Sequence, residues 1–411
     1  MQRLYALLIG MLLSAFLVAQ PDSIPKETEE PYISEDTYVA PPDDVAQKYQ
    51  QAVELMNSFQ FGKAIPLFYA CQRADSSNPD YASKLAYCYF QQGNYREAKR
   101  FYSSMLRQDS INTIALSYLG LIYEREQNYP VASEYYQQLL SVDSTNSYYF
   151  KQNAALAQRM GNAYHAIAYY NKAHLLNPND ISVIAELSEL YFSLEAYDIT
   201  ASFIEKGLRL NADNFALRYI NARLLNEQDD NAGVIENIEH AMALGDTVTF
   251  YQKLLGAAYI KENEFEKGRD IFARLIEKKK DGESTHYYLA LAYTGLDDAE
   301  QSNVHYEKAI ELGISKNTAL YYRNLGSNYE SQNQLRKAIK AYRSALIYSD
   351  VASIYYDLGR LSDLYYKDKK IALKYYQQFL DRSKTISDRR RQQVRDRMAA
   401  LKEYQHQARG R

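Results

Sequence analysis

ALYYRNLGSNYESQNQLRKAIKAYRSALIYSDVA, running from Ala319 to Ala352, decides the fold. Tyr322, Leu325, Gly326 and Tyr329 fall at i, i+3, i+4 and i+7, which is one face of a helix, and Ala338, Tyr342 and Ala345 mark a second helix. The polar turn Ser331 to Gln334 separates them. The same residue types recur at the same offsets almost from end to end. A period of 34 residues holds without insertion or deletion through eight repeats starting at Val45, Pro79, Thr113, Ser147, Ile181, Phe215, Thr249 and Glu283. Two extra residues precede the ninth at Ala319, and a tenth, shorter by about two in its turn, is expected from Tyr355. It uses Leu358, Leu361, Ser362 and Tyr365, then Ala372, Tyr376 and Phe379.

The eighth residue of each repeat, where two helices would cross closely, is small: Ala52, Ala86, Gly120, Ala154, Ser188, Ala222, Gly256 and Ala290. The eleventh is mostly aromatic, as at Tyr89, Tyr123, Tyr191, Tyr259 and Tyr293. In the second helix Ala64, Ala98, Ala132 and Ala166 are each followed four residues later by an aromatic, Phe68, Tyr102, Tyr136 and Tyr170. From Val45 to about Leu380 the chain thus resembles the tetratricopeptide repeat. The resemblance implies an all-α, right-handed superhelical solenoid of about ten helix-turn-helix units with a concave groove. Departures are the missing Trp early in each unit and a Pro near the unit end only at Pro178. Repeats five and six fit least well: Thr200 and Val234 replace the small Ala, and Asp229 and Asn231 stand where a turn residue and an aromatic are expected.

A repeat array escapes the usual relation between length and domain count, because each unit packs only on its neighbours. The 41 Tyr and absent Trp are unusual, but many Tyr sit at the repeating core offsets, where the ring packs and the hydroxyl reaches the surface. Net charge is only -3, so no overall field calls for nucleic acid.

The two ends differ in sign. Arg3, the apolar run Leu4 to Val18 and Ala19 before Gln20 read as a Sec-type signal peptide over residues 1–19, giving a periplasmic protein, or one anchored in the inner membrane if uncleaved. Residues 20–44 hold five of the nine prolines and eight acidic residues against Lys26 alone, the composition of a disordered linker. Residues 381–411 carry ten Lys and Arg against four acids, yet Val394, Met398 and Leu401 fall on one stripe, so a basic capping helix is expected there.

Offsets 2, 5, 9 and 12 of each first helix lie opposite the packed stripe and would line the groove. They include Tyr49, Met56, Tyr87, Phe90, Tyr148, Phe192, Tyr219, Phe250, Ile260 and Tyr287, with Lys151, Arg223, Lys253 and Arg323 among them. Apolar groups punctuated by cations suit a bound peptide or protein segment, the cations taking carboxylates or carbonyls. The competing reading is that these aromatics seal the wall between adjacent first helices. Family members that clamp a C-terminal carboxylate use Lys and Asn where this chain has Tyr49 and Val53, so that mode is not expected.

Cys71 and Cys88 are a candidate disulfide, or else two buried small side chains. The six His show no HExxH or paired ligand spacing, and no GxSxG, Walker loop or GxGxxG is present. The expectation is therefore a non-enzymatic interaction scaffold without cofactor, with two alternatives. One is a structural subunit of a membrane-associated envelope or secretion assembly, and the other a substrate-recruiting arm for a separate catalytic chain.

Overall fold

Several helices in this chain start where a short polar side chain can serve the unpaired N–H groups of the first turn. Asn78, Asn112, Asn146, Asp180 and Asn214 each accept a backbone hydrogen bond in this way. Each such cap stabilises its helix by about 1 kcal/mol. The computed structural model describes residues 42–409 except 246, 247, 314 and 384–386. The expected signal peptide and all of the linker before Pro42 lie outside the described residues. Among those residues there are 21 α-helices and no strand.

The chain divides at Ser110 into two compact blocks. The first contains α1 (Pro42–Asn57), α2 (Phe61–Ala74), α3 (Pro79–Gln91) and α4 (Tyr95–Gln108). The second contains eight further pairs: α5 (Thr113–Arg125) with α6 (Tyr129–Val142), α7 (Ser147–Arg159) with α8 (Ala163–Leu176), α9 (Ile181–Ser193) with α10 (Tyr197–Leu210), and α11 (Phe215–Glu227) with α12 (Asn231–Ala243). It continues with α13 (Thr249–Lys261) and α14 (Phe265–Glu277), α15 (Glu283–Gly295) and α16 (Ala299–Leu312), α17 (Thr318–Ser331) and α18 (Leu335–Tyr348), then α19 (Ala352–Tyr365) and α20 (Lys370–Arg382). A single helix, α21 (Asp388–Arg409), follows. Consecutive helices pack in register within each block, the arrangement of an α-solenoid built from helix-turn-helix repeats.

The turn inside each repeat reverses the chain through one left-handed residue. It is Phe59, Gly93, Gln127, Gly161, Glu195, Asp229, Asn263, Asp297 or Asn333, all at the fifteenth place of their repeats, with φ between 57° and 77°. Asp229 therefore supplies the turn of the sixth repeat, and Asp230 beside it caps α12 through the Gly233 N–H.

The core repeats as well. Where the second helix carries an aromatic, as in all repeats but the fifth and sixth with Ile204 and Ile238, the ring packs at the helix crossing, so closely that a Cβ on Gly120 would stand 3.0 Å from the Tyr136 ring and one on Gly326 2.9 Å from Tyr342. Tyr102, Tyr136, Tyr306, Phe68 and Phe272 are fully buried at this place. The tenth repeat departs from the sequence reading. Its first helix begins at Ala352, and the residue beneath the Tyr376 ring is Gly359, not Ser362. Tyr365, expected in the core, is exposed, because the three-residue shift turns it outward. The turn after it is held by Lys369, whose ammonium donates to the carbonyls of Asp363 and Tyr366.

α21 closes the array. Val394, Met398 and Leu401 are buried against Tyr376 and Phe379, and Arg397 Nε donates to Asp363 at 2.8 Å. Within the first block, Cys71 and Cys88 are both buried free thiols, which corrects the candidate disulfide. Cys71 Sγ instead points to the Val45 carbonyl at 3.6 Å. Burial pushes the Cys88 thiol up to about 12, so neither is a ready nucleophile.

Candidate functional site: the first-helix face

First helices of neighbouring repeats touch one another directly, α9 on α11 and α13 on α15, so their outward offsets form a shared face. Its charged groups are largely paired between repeats. Arg159 reaches Glu124 at 2.5 Å, Arg223 reaches Glu189 at 2.6 Å and Arg360 reaches Glu330. Lys151 bonds Asp180 at 3.1 Å, the carboxylate that also caps α9. Burial works against that charged carboxylate, but bonds from Ser182, Lys151 and the Val183 N–H outweigh it and hold its pKa below the usual range. Gln158 donates to Glu186, whose carboxyl burial raises. Each pair joins one repeat to the next.

Two of the four expected ligand-binding cations are thereby engaged within the protein, Lys151 and Arg223. The other two are not in ion pairs among the described residues. Lys253 has only the Ser284 hydroxyl at 3.5 Å, and burial lowers its pKa, with Asp281 opposing. Arg323 keeps a buried Nε with no hydrogen-bond partner.

The aromatics divide similarly. Phe90, Tyr219 and Ile260 are buried and belong to the wall. Tyr219 stacks on Tyr251 with centroids 3.5 Å apart, Phe90 tilts against Tyr95, and Ile260 fills the space beside Gly268. Tyr49, Met56, Tyr87, Phe192 and Tyr287 are half-buried. Tyr49 donates to Asp80, Tyr87 meets Phe61 edge-on at 6.0 Å, Phe192 lies beneath Arg223, and Tyr287 packs on Tyr321 at 4.8 Å. Burial pushes the Tyr287 hydroxyl up to about 12. Tyr148 and Phe250 stand out from the face, 45% and 53% exposed.

Two sets of exposed apolar groups were missed in the sequence. Ile114 and Leu320 occupy the same second offset as Tyr148 and Phe250. Val142, Leu176, Leu210, Leu244 and Leu312, all at the thirtieth place of their repeats, are each 40–45% exposed. Recurrence at a fixed offset outside the packed stripe was the available signal. Among the described residues no three His, Cys, Asp or Glu come together as a metal site, and no helix is long and apolar enough to cross a membrane.

Residues 46–119 match the family model described as "Tetratricopeptide repeat". No curated protein matches. Similar solved structures include PilF of Pseudomonas aeruginosa, 18% identical over 51% of this chain and 96% of that one, with a TM-score of 0.43. A tetratricopeptide repeat protein of Parabacteroides merdae is 16% identical over 61% and 98%, with a TM-score of 0.44. YrrB, described as a TPR protein with an unusual peptide-binding site, is 19% identical over 44% and 93%, with a TM-score of 0.41.

Proposed function

We propose that this chain, a tetratricopeptide-repeat protein, is a non-enzymatic scaffold that holds a peptide or protein segment against its first-helix face. Arrays of this family serve protein–protein interaction. The observation that carries the finer reading is on α13, where Phe250 projects into solvent and Lys253, one turn further on, forms no ion pair among the described residues, Asp281 acting on it only at longer range. A segment presenting an apolar side chain followed by an acidic one would bury the first on Phe250 and neutralise the second on Lys253. Tyr148 offers a second apolar foothold on α7.

The test replaces Phe250→Ser and Lys253→Gln together and compares cross-linked partners by mass spectrometry in intact cells. Loss of discrete partners with an unchanged melting temperature supports the reading. Partners retained in full, with folding intact, would move the interaction elsewhere. Phe90→Ser is not a suitable probe, since a buried ring lost from the wall would disturb folding.

A second reading, the structural subunit of a larger assembly, draws on apolar groups exposed on second helices, Tyr164, Leu175 and Ile347, each more than 70% exposed. Residues 1–19 support export, and fractionation with and without them tests that setting.

A further inference from the structure

We infer that α21 receives the acidic segment, residues 21–41, of a second copy of this chain, so that copies join head to tail. The starting observation is the distribution of charge. Within α21 there are seven Lys and Arg, against Asp388, Asp396 and Glu403. Residues 21–41 carry Asp22, Glu27, Glu29, Glu30, Glu35 and Asp36, against Lys26. A chain of net charge -3 thus concentrates opposite charge at its two ends.

The fold leaves the basic charge available. One stripe of α21 is occupied by Val394, Met398 and Leu401 in the core, which turns the remaining faces outward. Some of its cations are already engaged: Arg397 with Asp363, Arg391 weakly with Asp388 at 3.9 Å, and Arg390 over the Tyr356 ring. Arg389, Arg395 and Lys402 are exposed and form no ion pair among the described residues. Beside them Tyr404 is 57% exposed, an apolar contact for Ile24, Tyr32, Ile33 or Tyr38 of the incoming segment.

Length is sufficient. The 22 residues of α21 rise about 33 Å, whereas the 21 residues of the segment span up to about 70 Å when extended. The acids can therefore be distributed along the whole helix. Asp388, Asp396 and Glu403 sit among the cations, which suits a peptide that addresses each cation singly better than a uniformly anionic sheet. Because the two partner surfaces differ, the contact is heterologous, and a joined pair leaves one acidic segment and one basic helix to take up further copies or to close a ring.

The experiment is sedimentation velocity of the full chain over a concentration series at about 0.1 M and 1 M salt, across which the screening length falls from about 10 to 3 Å. Three variants accompany it: Arg389→Glu with Arg395→Glu and Lys402→Glu; Glu27→Lys with Glu29→Lys and Glu30→Lys; and all six together. Circular dichroism melts verify that each folds. The expected result is concentration-dependent association at low salt, weakened about tenfold or more at high salt, reduced by either triple reversal and restored by the sextuple swap. A wild type that stays monomeric at low salt overturns the inference, as does association indifferent to both reversals or a swap that fails to restore it. Anionic phosphatidylglycerol vesicles provide the remaining arm. Retention of the chain on them that an excess of synthetic peptide 21–41 does not reduce would assign α21 to a lipid surface instead.

Discussion

Arg223 lies 4.3 Å over the ring of Phe192 while its Nη1 donates to both carboxylate oxygens of Glu189, at 2.6 and 2.8 Å. One guanidinium thus joins two repeats through a charge pair and a ring contact. A double-mutant cycle with Arg223→Met and Glu189→Gln should give a coupling of about 1 kcal/mol, as for a partly exposed pair of good geometry. Chemical denaturation with urea measures it. The coupling should shrink in high salt, and a value near zero at low salt would mean that the pair contributes nothing to stacking.

Gly359 has no room for a methyl group, since a Cβ there would stand 2.6 Å from the Tyr376 ring. Gly359→Ala should destabilise the chain by about 1–3 kcal/mol through overpacking, and the loosening should appear in hydrogen exchange of α19 to α21 before that of distant repeats. Uniform loosening throughout the second block would contradict the local packing assigned to the last repeat.

Glu195 holds a φ of 59°, a left-handed conformation that costs a side-chain-bearing residue about 1–2 kcal/mol. Gly161 and Gly93 occupy the equivalent place in other repeats without that cost. Glu195→Gly should raise stability by about 0.5–1 kcal/mol after the extra unfolded-state entropy of glycine is counted. A lowered melting temperature would show that the Glu195 side chain contributes more than its backbone strain.

His286 and His305 place their Nδ1 atoms 2.9 Å apart, with His305 also stacked on Tyr293 at 5.6 Å. Burial, reinforced by the neighbouring His286, holds His305 down to about 4. Burial lowers His286 too, with Asp281 opposing and Lys308 assisting. Both folded-state values lie below the unfolded value of about 6.5, so the unfolded chain binds more protons between them. Their contribution to stability is complete above about pH 6.5 and is lost as pH falls toward 4. Melting temperatures from neutral to acid pH should fall more steeply for the wild type than for His305→Gln, and parallel slopes would remove the pair from the account.

Much of the fold was legible because a solenoid writes its packing into a fixed period. Gly326 and Tyr342, sixteen residues apart, announce the helix crossing wherever they recur. The tenth repeat was misregistered because its turn is one residue longer than that of the ninth, not shorter, and because Leu358 and Leu361 are both fully buried, so either frame places apolar residues inward. The candidate site was less legible. A helical wheel distinguishes the packed stripe from its opposite face, but that opposite face is itself partly covered by the next repeat's first helix. Tyr219 is therefore buried while Phe250 at a neighbouring offset is open. Nor does spacing within one helix reveal that Arg223 is matched by Glu189, one period away, whereas Lys253 forms no ion pair among the described residues.

The most direct measurement is site-specific photo-cross-linking in cells, with a benzophenone side chain placed in turn at Phe250, at Tyr148 and, on a second helix, at Tyr164. Discrete protein adducts are expected from the Phe250 and Tyr148 probes and none from Tyr164, and adding Lys253→Gln to the Phe250 probe should abolish its adducts. Adducts confined to Tyr164 would contradict this expectation and place the working surface on the second helices.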